Sequence, residues 1–183
     1  MGNINRPKLN TEDIELMRKI GEHNFVDMIY IYKFYKTDCK KRTVNERITQ
    51  LAKHRYLSII ETFIPPEYTV KKMKGYKIVS LGAKGVEIMK DLGAEVETNL
   101  KALKNASSYR MYHQCQVAMV CDSLDYEFKN SESKFEVAEI YNEKEGFIKG
   151  TGNMPDAVIL FRPKAEYLMS PKERYIVVFI EIE

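Results

Sequence analysis

The chain has 183 residues, of which 44% are hydrophobic and 30% charged, and its formal net charge is +3. A chain of this length buries one sizeable core or two small ones. No apolar run approaches the roughly 18 residues of a membrane span, and the N-terminus lacks the hydrophobic core of a signal peptide. The three cysteines, Cys39, Cys115 and Cys121, form no C-x-x-C pair, which argues against a disulfide framework or a zinc site. We therefore expect a cytoplasmic protein with reduced thiols that does not act at a membrane.

The modest net charge hides a basic front half and an acidic back half. Residues 1–95 contain 18 lysines and arginines against 12 acidic residues, whereas residues 96–183 contain 11 against 14. Within residues 36–77 the count is 11 against 4, so the positive excess is concentrated in one stretch. A basic patch of this kind attracts nucleic acid through its phosphates in a salt-sensitive way.

In chain order, the first informative element is the apolar and aromatic stretch from Val26 to Tyr35. Met28, Ile31 and Tyr32 recur in it at helical spacing, which predicts a supporting helix packed on the core rather than a cofactor site. A short turn, residues 37–42, follows this helix. The turn ends in three consecutive cations at the entry of the next helix, which are Lys40, Lys41 and Arg42.

The next helix is predicted to begin at Thr43, where the threonine hydroxyl and the carboxylate of Glu46 would form a capping box. Val44, Ile48 and Leu51 fall on one stripe, which must face the core. The opposite side carries amide, hydroxyl and charged groups, including the types that read base edges and bind phosphates. That outer face consists of Arg42, Asn45, Glu46, Thr49, Gln50 and Lys53.

A β-hairpin is predicted after this helix. Residues 56–64 have the β-branched and aromatic content of a strand, Pro65-Pro66 ends that strand, and residues 76–79 form the returning strand. A hairpin loop that binds DNA phosphates requires cations near its tip. The connecting loop supplies Lys71, Lys72 and Lys74.

Together these elements predict an α+β protein whose N-terminal domain, residues 1–95, is a winged helix-turn-helix. In this fold one helix enters the major groove of duplex DNA and a β-hairpin lies along the flanking phosphates. Any surface helix has a polar outer face, so the basic turn and the hairpin favour DNA binding here over an ordinary solvated helix. The predicted DNA contacts are Lys40, Lys41, Arg42, Thr43, Asn45, Thr49, Gln50, Lys53, Lys71, Lys72 and Lys74.

The second half, residues 96–183, is predicted to form a small α/β domain. A long helix runs from Ser108 to Leu124, and strands are expected at residues 135–141, 156–161 and 175–182. Winged-helix regulators commonly bind as two-fold dimers. We expect a homodimer, with the long helix or the acidic half as the contact surface, and a replication or transfer protein as a further candidate partner.

A set of loose motifs spans nearly the whole chain. They comprise residues 14–20, residues 44–57, Tyr76, Leu81-Gly82-Ala83-Lys84-Gly85, His113, Pro155-Asp156 and Ile180-Glu181-Ile182-Glu183. With these motifs the chain resembles the replication-relaxation family of plasmid and mobile-element proteins, in which a winged helix precedes a small α/β domain. It departs from the usual wing-exit pattern at Gly82, where a threonine is usual. The resemblance implies DNA binding at a plasmid control region, in replication, transfer or regulation of transcription, rather than a defined reaction.

An enzymatic alternative rests on carboxylates in the second half. Asp156 and Glu181 lie on different strands, as do the acidic residues of the D…(D/E)-x-K nucleases, where two carboxylates hold Mg²⁺ and a lysine helps to activate water. Here Glu183 stands in place of that lysine. We therefore expect no catalytic residue, no metal and no cofactor, and a second half that keeps a degenerate nuclease-like fold as a scaffold. The remaining alternative is a protein-interaction module that the winged helix directs to DNA.

Overall fold

The computed structural model of the protein describes residues 7–62, 75–94, 96, 106–142, 155–167 and 175–182. These residues form helices and antiparallel sheets, which confirms the predicted α+β class. The chain divides into two compact units, Met1–Cys115 and Gln116–Glu183. The predicted boundary at residue 95 falls earlier, so the start of the long helix belongs to the N-terminal unit. None of the described helices is long and apolar enough to cross a membrane.

The N-terminal unit combines short helices with a small sheet. The sheet is antiparallel in the order β1-β3-β2, and β2 and β3 form the predicted hairpin, with Leu57 opposite Leu81 and Thr62 opposite Tyr76. Strand β1 adds to the other edge of β3. The elements in chain order are α1 (Thr11–His23), β1 (Val26–Asp27), α2 (Met28–Phe34), α3 (Lys41–Lys53), β2 (Leu57–Thr62), β3 (Tyr76–Leu81) and α4 (Ala83–Asp91).

The predicted start of α3 at a capping box is wrong. The helix begins at Lys41, and its N-cap residue Lys40 makes no side-chain cap hydrogen bond. The first intrahelical bond runs from the Val44 amide to the Lys40 carbonyl. Thr43 therefore lies within the first turn, and the Glu46 carboxylate pairs with Arg42 instead of reaching back to a cap. Lys and Arg are good helix formers, so the helix extends through the basic segment that was predicted to be a turn.

The predicted core stripe of α3 is confirmed. Val44, Ile48 and Leu51 are all at most 2% exposed, and they form part of a core that also includes Ile31 from α2 and Ile20 from α1. Burial of these side chains supplies most of the stability of such short helices, since isolated helices of this length are marginal in water.

An ion pair inside this unit joins two helices that are far apart in sequence. The carboxylate of Asp13 on α1 is fully buried and accepts hydrogen bonds from Arg47 on α3, at 3.1 Å from Nε and 2.5 Å from Nη2. The hydroxyl of Tyr35, just beyond α2, donates to the same carboxylate at 2.6 Å. Asp13 also completes a capping box with Asn10 at the start of α1. One carboxylate therefore links α1, α3 and the end of α2.

The balance of forces at Asp13 favours its charged form. Burial opposes ionisation, but the hydrogen bonds from Arg47, Tyr35 and the Asn10 amide outweigh it and hold the pKa of Asp13 below its ordinary value of 3.8. Burial, with the neighbouring carboxylate of Asp13, raises the pKa of Tyr35 well above its usual range. Tyr35 therefore stays protonated and acts as a donor.

Helix α4 lies directly against the backbone at the start of β2. The Gly82 amide donates to the Tyr56 carbonyl at 2.9 Å, and a Cβ on Gly82 would lie 2.3 Å from the Arg55 carbonyl oxygen. A Cβ on Gly85 would lie 2.1 Å from the Tyr56 carbonyl oxygen. Both positions therefore require glycine for close backbone approach. A side chain at position 82 would meet the backbone of Arg55 and Leu57.

The C-terminal unit packs the end of a long helix on a three-stranded sheet. The helix α5 (Ser108–Asn130) runs beyond the predicted end at Leu124 and starts in the N-terminal unit. The described strands β4 (Phe135–Asn142), β5 (Ala157–Pro163) and β6 (Ile176–Ile180) are antiparallel in sequence order, with a bulge between Val137 and Glu139. This part of the second half is thus α+β in character, because crossover connections between parallel strands are absent from the described sheet.

We predict that Asp13→Asn lowers the free energy of unfolding by about 3–5 kcal/mol at neutral pH, because it leaves the Arg47 guanidinium partly buried without its counter-charge. The ionised carboxylate stabilises the fold above pH 3.8, and this contribution is lost as the pH falls through the lowered pKa of the folded state. The difference between wild type and variant should therefore shrink in acid. Urea denaturation at pH 7 and pH 3 measures it.

The matched control is Glu12→Gln. Glu12 is the preceding residue on α1 and pairs with Lys36, but its side chain is 56% exposed. Removal of an exposed pair should cost less than about 1 kcal/mol. Equal losses for the two variants would show that the buried network does not hold the helices together.

Candidate nucleic-acid interface

The outer face of α3 is exposed along its whole length. Lys40 precedes the helix, Lys41 is its first residue, and the remaining helical candidates lie on successive turns outside the buried stripe. The structure thus brings the predicted helix residues onto one surface, whereas the loop candidates Lys71, Lys72 and Lys74 lie outside the described residues. The exposed candidates are Lys40, Lys41, Arg42, Thr43, Asn45, Thr49, Gln50 and Lys53.

The first turn of this surface is organised by an aromatic residue from α2. The hydroxyl of Tyr32 donates to the Asn45 side-chain oxygen at 2.6 Å. The ammonium group of Lys41 lies 5.0 Å from the centroid of the same ring, within the range of a cation–π contact. Tyr32 therefore holds both an amide and a cation of the exposed face, a role that its apolar helical spacing did not predict.

The second turn is organised by Arg47. Its Nη1 donates to the Gln50 side-chain oxygen at 2.8 Å, while its Nη2 donates to the Lys8 carbonyl as well as to Asp13. The Arg47 side chain is 18% exposed. Sequence reasoning missed this residue because it flanks the apolar stripe and its partner lies on another helix. The only local signal was an arginine next to a core position.

Arg42 is engaged differently. Its Nε donates to the Glu46 carboxylate at 3.0 Å, and the two side chains are 90% and 64% exposed. Such an exposed pair is worth little and can be exchanged for a phosphate at small cost. Arg42 remains available to an anionic ligand in a way that the partly buried Arg47 does not.

A groove runs beside this face, formed by α2, α3 and the hairpin. Its lining includes Asn45 and Thr49 from α3, the apolar side chains of Ile48 and Ile59, and Lys77 from β3. Lys77 was not among the predicted contacts. It pairs with Glu61 across the hairpin at 3.4 Å, and both side chains are exposed. The groove therefore places Lys77 of the hairpin and the side-chain amide of Asn45 along one surface.

The end of the hairpin next to its connecting loop is anchored by a second buried carboxylate. The Tyr76 hydroxyl donates to Asp27 at 2.6 Å, and the other oxygen of Asp27 caps α2 by accepting from the Tyr30 amide at 2.7 Å. Burial raises the pKa of Tyr76 well above its usual range, and burial likewise raises the pKa of the Cys115 thiol. Tyr76 and Cys115 are therefore neutral, packed groups rather than nucleophiles.

Asp156 bonds to the end of a neighbouring strand. The Asp156 amide donates to the Ile180 carbonyl at 3.0 Å, and the Asp156 carboxylate accepts from the Ile182 amide at 2.7 Å. Glu181 lies next to these two hydrogen bonds and is exposed, whereas Glu183 falls outside the described residues. In the part of the chain that the structure describes, no three histidine, cysteine or acidic side chains gather closely enough to hold a metal ion.

Comparison of the chain with protein-family models, with characterised proteins and with solved structures finds no match. The functional argument therefore depends on the residues and their geometry.

Proposed function

We propose that the N-terminal unit is a winged helix-turn-helix that binds duplex DNA in a sequence-dependent way, with α3 in the major groove. The order of α1, β1, α2, α3 and the β2–β3 hairpin, with β1 paired to β3, is the arrangement expected of that fold. The main support for the proposal is the outer face of α3, where exposed lysine and arginine side chains lie beside the exposed side-chain amides of Asn45 and Gln50. Cations supply the affinity for phosphates, and amides supply the contacts to base edges.

The biological setting proposed for this activity comes from the resemblance to the replication-relaxation family. It is the control region of a plasmid or mobile element, where the protein acts in replication, transfer or transcriptional regulation. The partners are duplex DNA, a second copy of the chain and a replication or transfer protein. The acidic second half is suited to protein contacts, because negative charge disfavours contact with DNA phosphates.

The test of DNA binding is the double charge reversal Lys40→Glu with Lys41→Glu in the full chain. Both cations stand exposed at the entry of α3. We expect weaker binding to every duplex, and a plot of log affinity against log salt whose slope is less steep by about 2, since each lost phosphate contact removes roughly 0.9. Fluorescence anisotropy at several salt concentrations measures both quantities.

The matched control is Lys90→Glu with Lys134→Glu, which makes the same change in net charge at exposed positions outside α3, one on α4 and one in the C-terminal unit. This variant should keep nearly the wild-type salt slope. If the wild-type protein shows no affinity for duplex DNA at low salt, or if the control loses as much affinity as the test variant, the proposed interface is wrong.

We further predict that the purified protein does not cut or nick DNA with Mg²⁺ or Mn²⁺. Hydrolysis needs an activated water and stabilisation of the developing phosphate charge, and no lysine stands at the motif position. Asp156 instead accepts the Ile182 amide. Asp156→Ala should therefore lower thermal stability and leave DNA affinity unchanged. Asp156→Asn keeps an acceptor for that amide without the charge, and should be more stable than the alanine variant. Metal-dependent cleavage that both variants abolish would establish a nuclease instead.

Strand β6 supplies the surface that we propose for a homodimer. It lies at one edge of the described sheet, and Val177 and Phe179 are 48% and 51% exposed on it. The strand from Ile176 to Ile180 contains no charged residue, and uncharged exposed edge strands pair readily. A second copy fits because an uncharged strand can pair antiparallel with itself about a two-fold axis.

Phe179→Lys should therefore convert the dimer to a monomer, because it places a charge within the paired strands. Light scattering coupled to size-exclusion chromatography measures the mass. Val120→Lys alters an exposed position on α5, one of the two surfaces that the sequence suggested, and should leave the dimer intact. A wild-type monomer at micromolar concentration, or dissociation by the α5 variant alone, would contradict this interface.

A further inference from the structure

The two amide side chains on the outer face of α3, Asn45 and Gln50, share one feature. In both Asn45 and Gln50 the carbonyl oxygen already accepts a hydrogen bond from a neighbouring side chain. Among the described residues the NH₂ group of each amide has no partner, so it can face a ligand. An amide reads adenine with both of its ends, the oxygen accepting from N6 and the nitrogen donating to N7. The engagement of the oxygens bears directly on which base these residues recognise.

The assignment at Gln50 is fixed by chemistry. A guanidinium has only donors, so the group of Gln50 that lies 2.8 Å from Arg47 Nη1 must be the oxygen. The second lone pair of that oxygen lies beside a positive charge. This charge disfavours the approach of another donor, such as adenine N6–H, and favours an acceptor.

Arg47 cannot readily turn away to release Gln50. It is held by two hydrogen bonds to the fully buried Asp13 carboxylate and by a third to the Lys8 carbonyl. A bidentate contact between an arginine and a buried carboxylate is among the strongest polar contacts in proteins. The orientation of Gln50 is therefore set from inside the helical core.

We propose that α3 reads guanine rather than adenine, with Arg47 as the positioning residue for Gln50 and Tyr32 as the positioning residue for Asn45. Guanine presents two acceptors, N7 and O6, to the major groove, and these match the free NH₂ hydrogens. Adenine presents one acceptor and one donor, and its donor meets an oxygen that already accepts one hydrogen bond. This inference rests on the proposed DNA binding and specifies the bases that the interface selects.

The experiment selects binding sites from a random duplex library with the full-length wild-type protein and with Gln50→Ala. The base pair whose preference disappears in the variant is the one that Gln50 reads. We expect a G·C pair there. Replacing that guanine by 7-deazaguanine, which lacks the N7 acceptor, should weaken wild-type binding by about two- to tenfold, the effect of one hydrogen bond. The same replacement should have no effect on binding of Gln50→Ala.

A second variant tests the positioning role without disturbing the buried ion pair. Tyr32→Phe removes only the hydroxyl that engages the Asn45 oxygen. The freed oxygen can accept from adenine N6, so the preference at the base pair read by Asn45 should shift from G·C toward A·T. The preference at the Gln50 position should stay unchanged. Tyr167→Phe removes an exposed tyrosine hydroxyl from the other unit and should leave the whole selected site unaltered.

Low-salt binding of any duplex is measured first, because its absence refutes the proposed function itself and the inference with it. If DNA binds, an A·T pair at the Gln50-dependent position refutes the inference alone. So does a selected site that is identical for wild type and Gln50→Ala, or a Tyr32→Phe variant with no shift at any position. A G·C preference that depends on the guanine N7, together with the shift in Tyr32→Phe, supports it.

Discussion

The ion pair between Asp13 and Arg47 is the contact on which the N-terminal unit depends. Transfer of both charges out of water offsets much of their attraction, so the chief contribution of such a pair is geometric. Only one arrangement of α1 and α3 lets the guanidinium meet the carboxylate with two hydrogen bonds while Tyr35 donates to the same group. Apolar packing alone would tolerate a small rotation of α3 about its axis. The ion pair does not, and a rotation of that size would move every side chain of the exposed face.

The cations of this unit are of two kinds. Arg47 stabilises the fold through the ion pair, whereas the exposed cations can bind a ligand. Arg47 is paired with the buried Asp13 carboxylate, so the two together add little to the long-range positive potential, although the guanidinium still lies next to Gln50. Lys40 and Lys53 are exposed, and Arg42 has only an exposed partner. Charges of this second kind exchange their solvent or weak partners for phosphates at low cost. A count of basic residues in the sequence treats the two kinds alike, whereas burial distinguishes them.

This difference also explains how far the sequence could predict the structure. The stripe of Val44, Ile48 and Leu51 and the β2–β3 hairpin follow from local periodicity and turn chemistry, and the structure contains both. The start of α3 was predicted too late in the sequence. The capping-box pattern at Thr43 is local, and the helix propensity of Lys41 and Arg42 outweighs it. The contact between Asp13 and Arg47 joins residues 34 positions apart, and no local pattern encodes it. The need for glycine at position 82 likewise arises from the backbone of Arg55, which only the folded chain brings close.

Helix α2 shows how the buried carboxylates act together. It has seven residues, too few for its own hydrogen bonds to maintain it in water. At its N-terminus Asp27 caps it and accepts from Tyr76 of β3. Just past its C-terminus Tyr35 donates to Asp13 of α1. The helix is thus fixed at both ends to separate elements, and these two bonds set its rotation. Since Tyr32 lies on this helix and donates to Asn45, Asp13 and Asp27 determine how the exposed face of α3 presents its first side-chain amide.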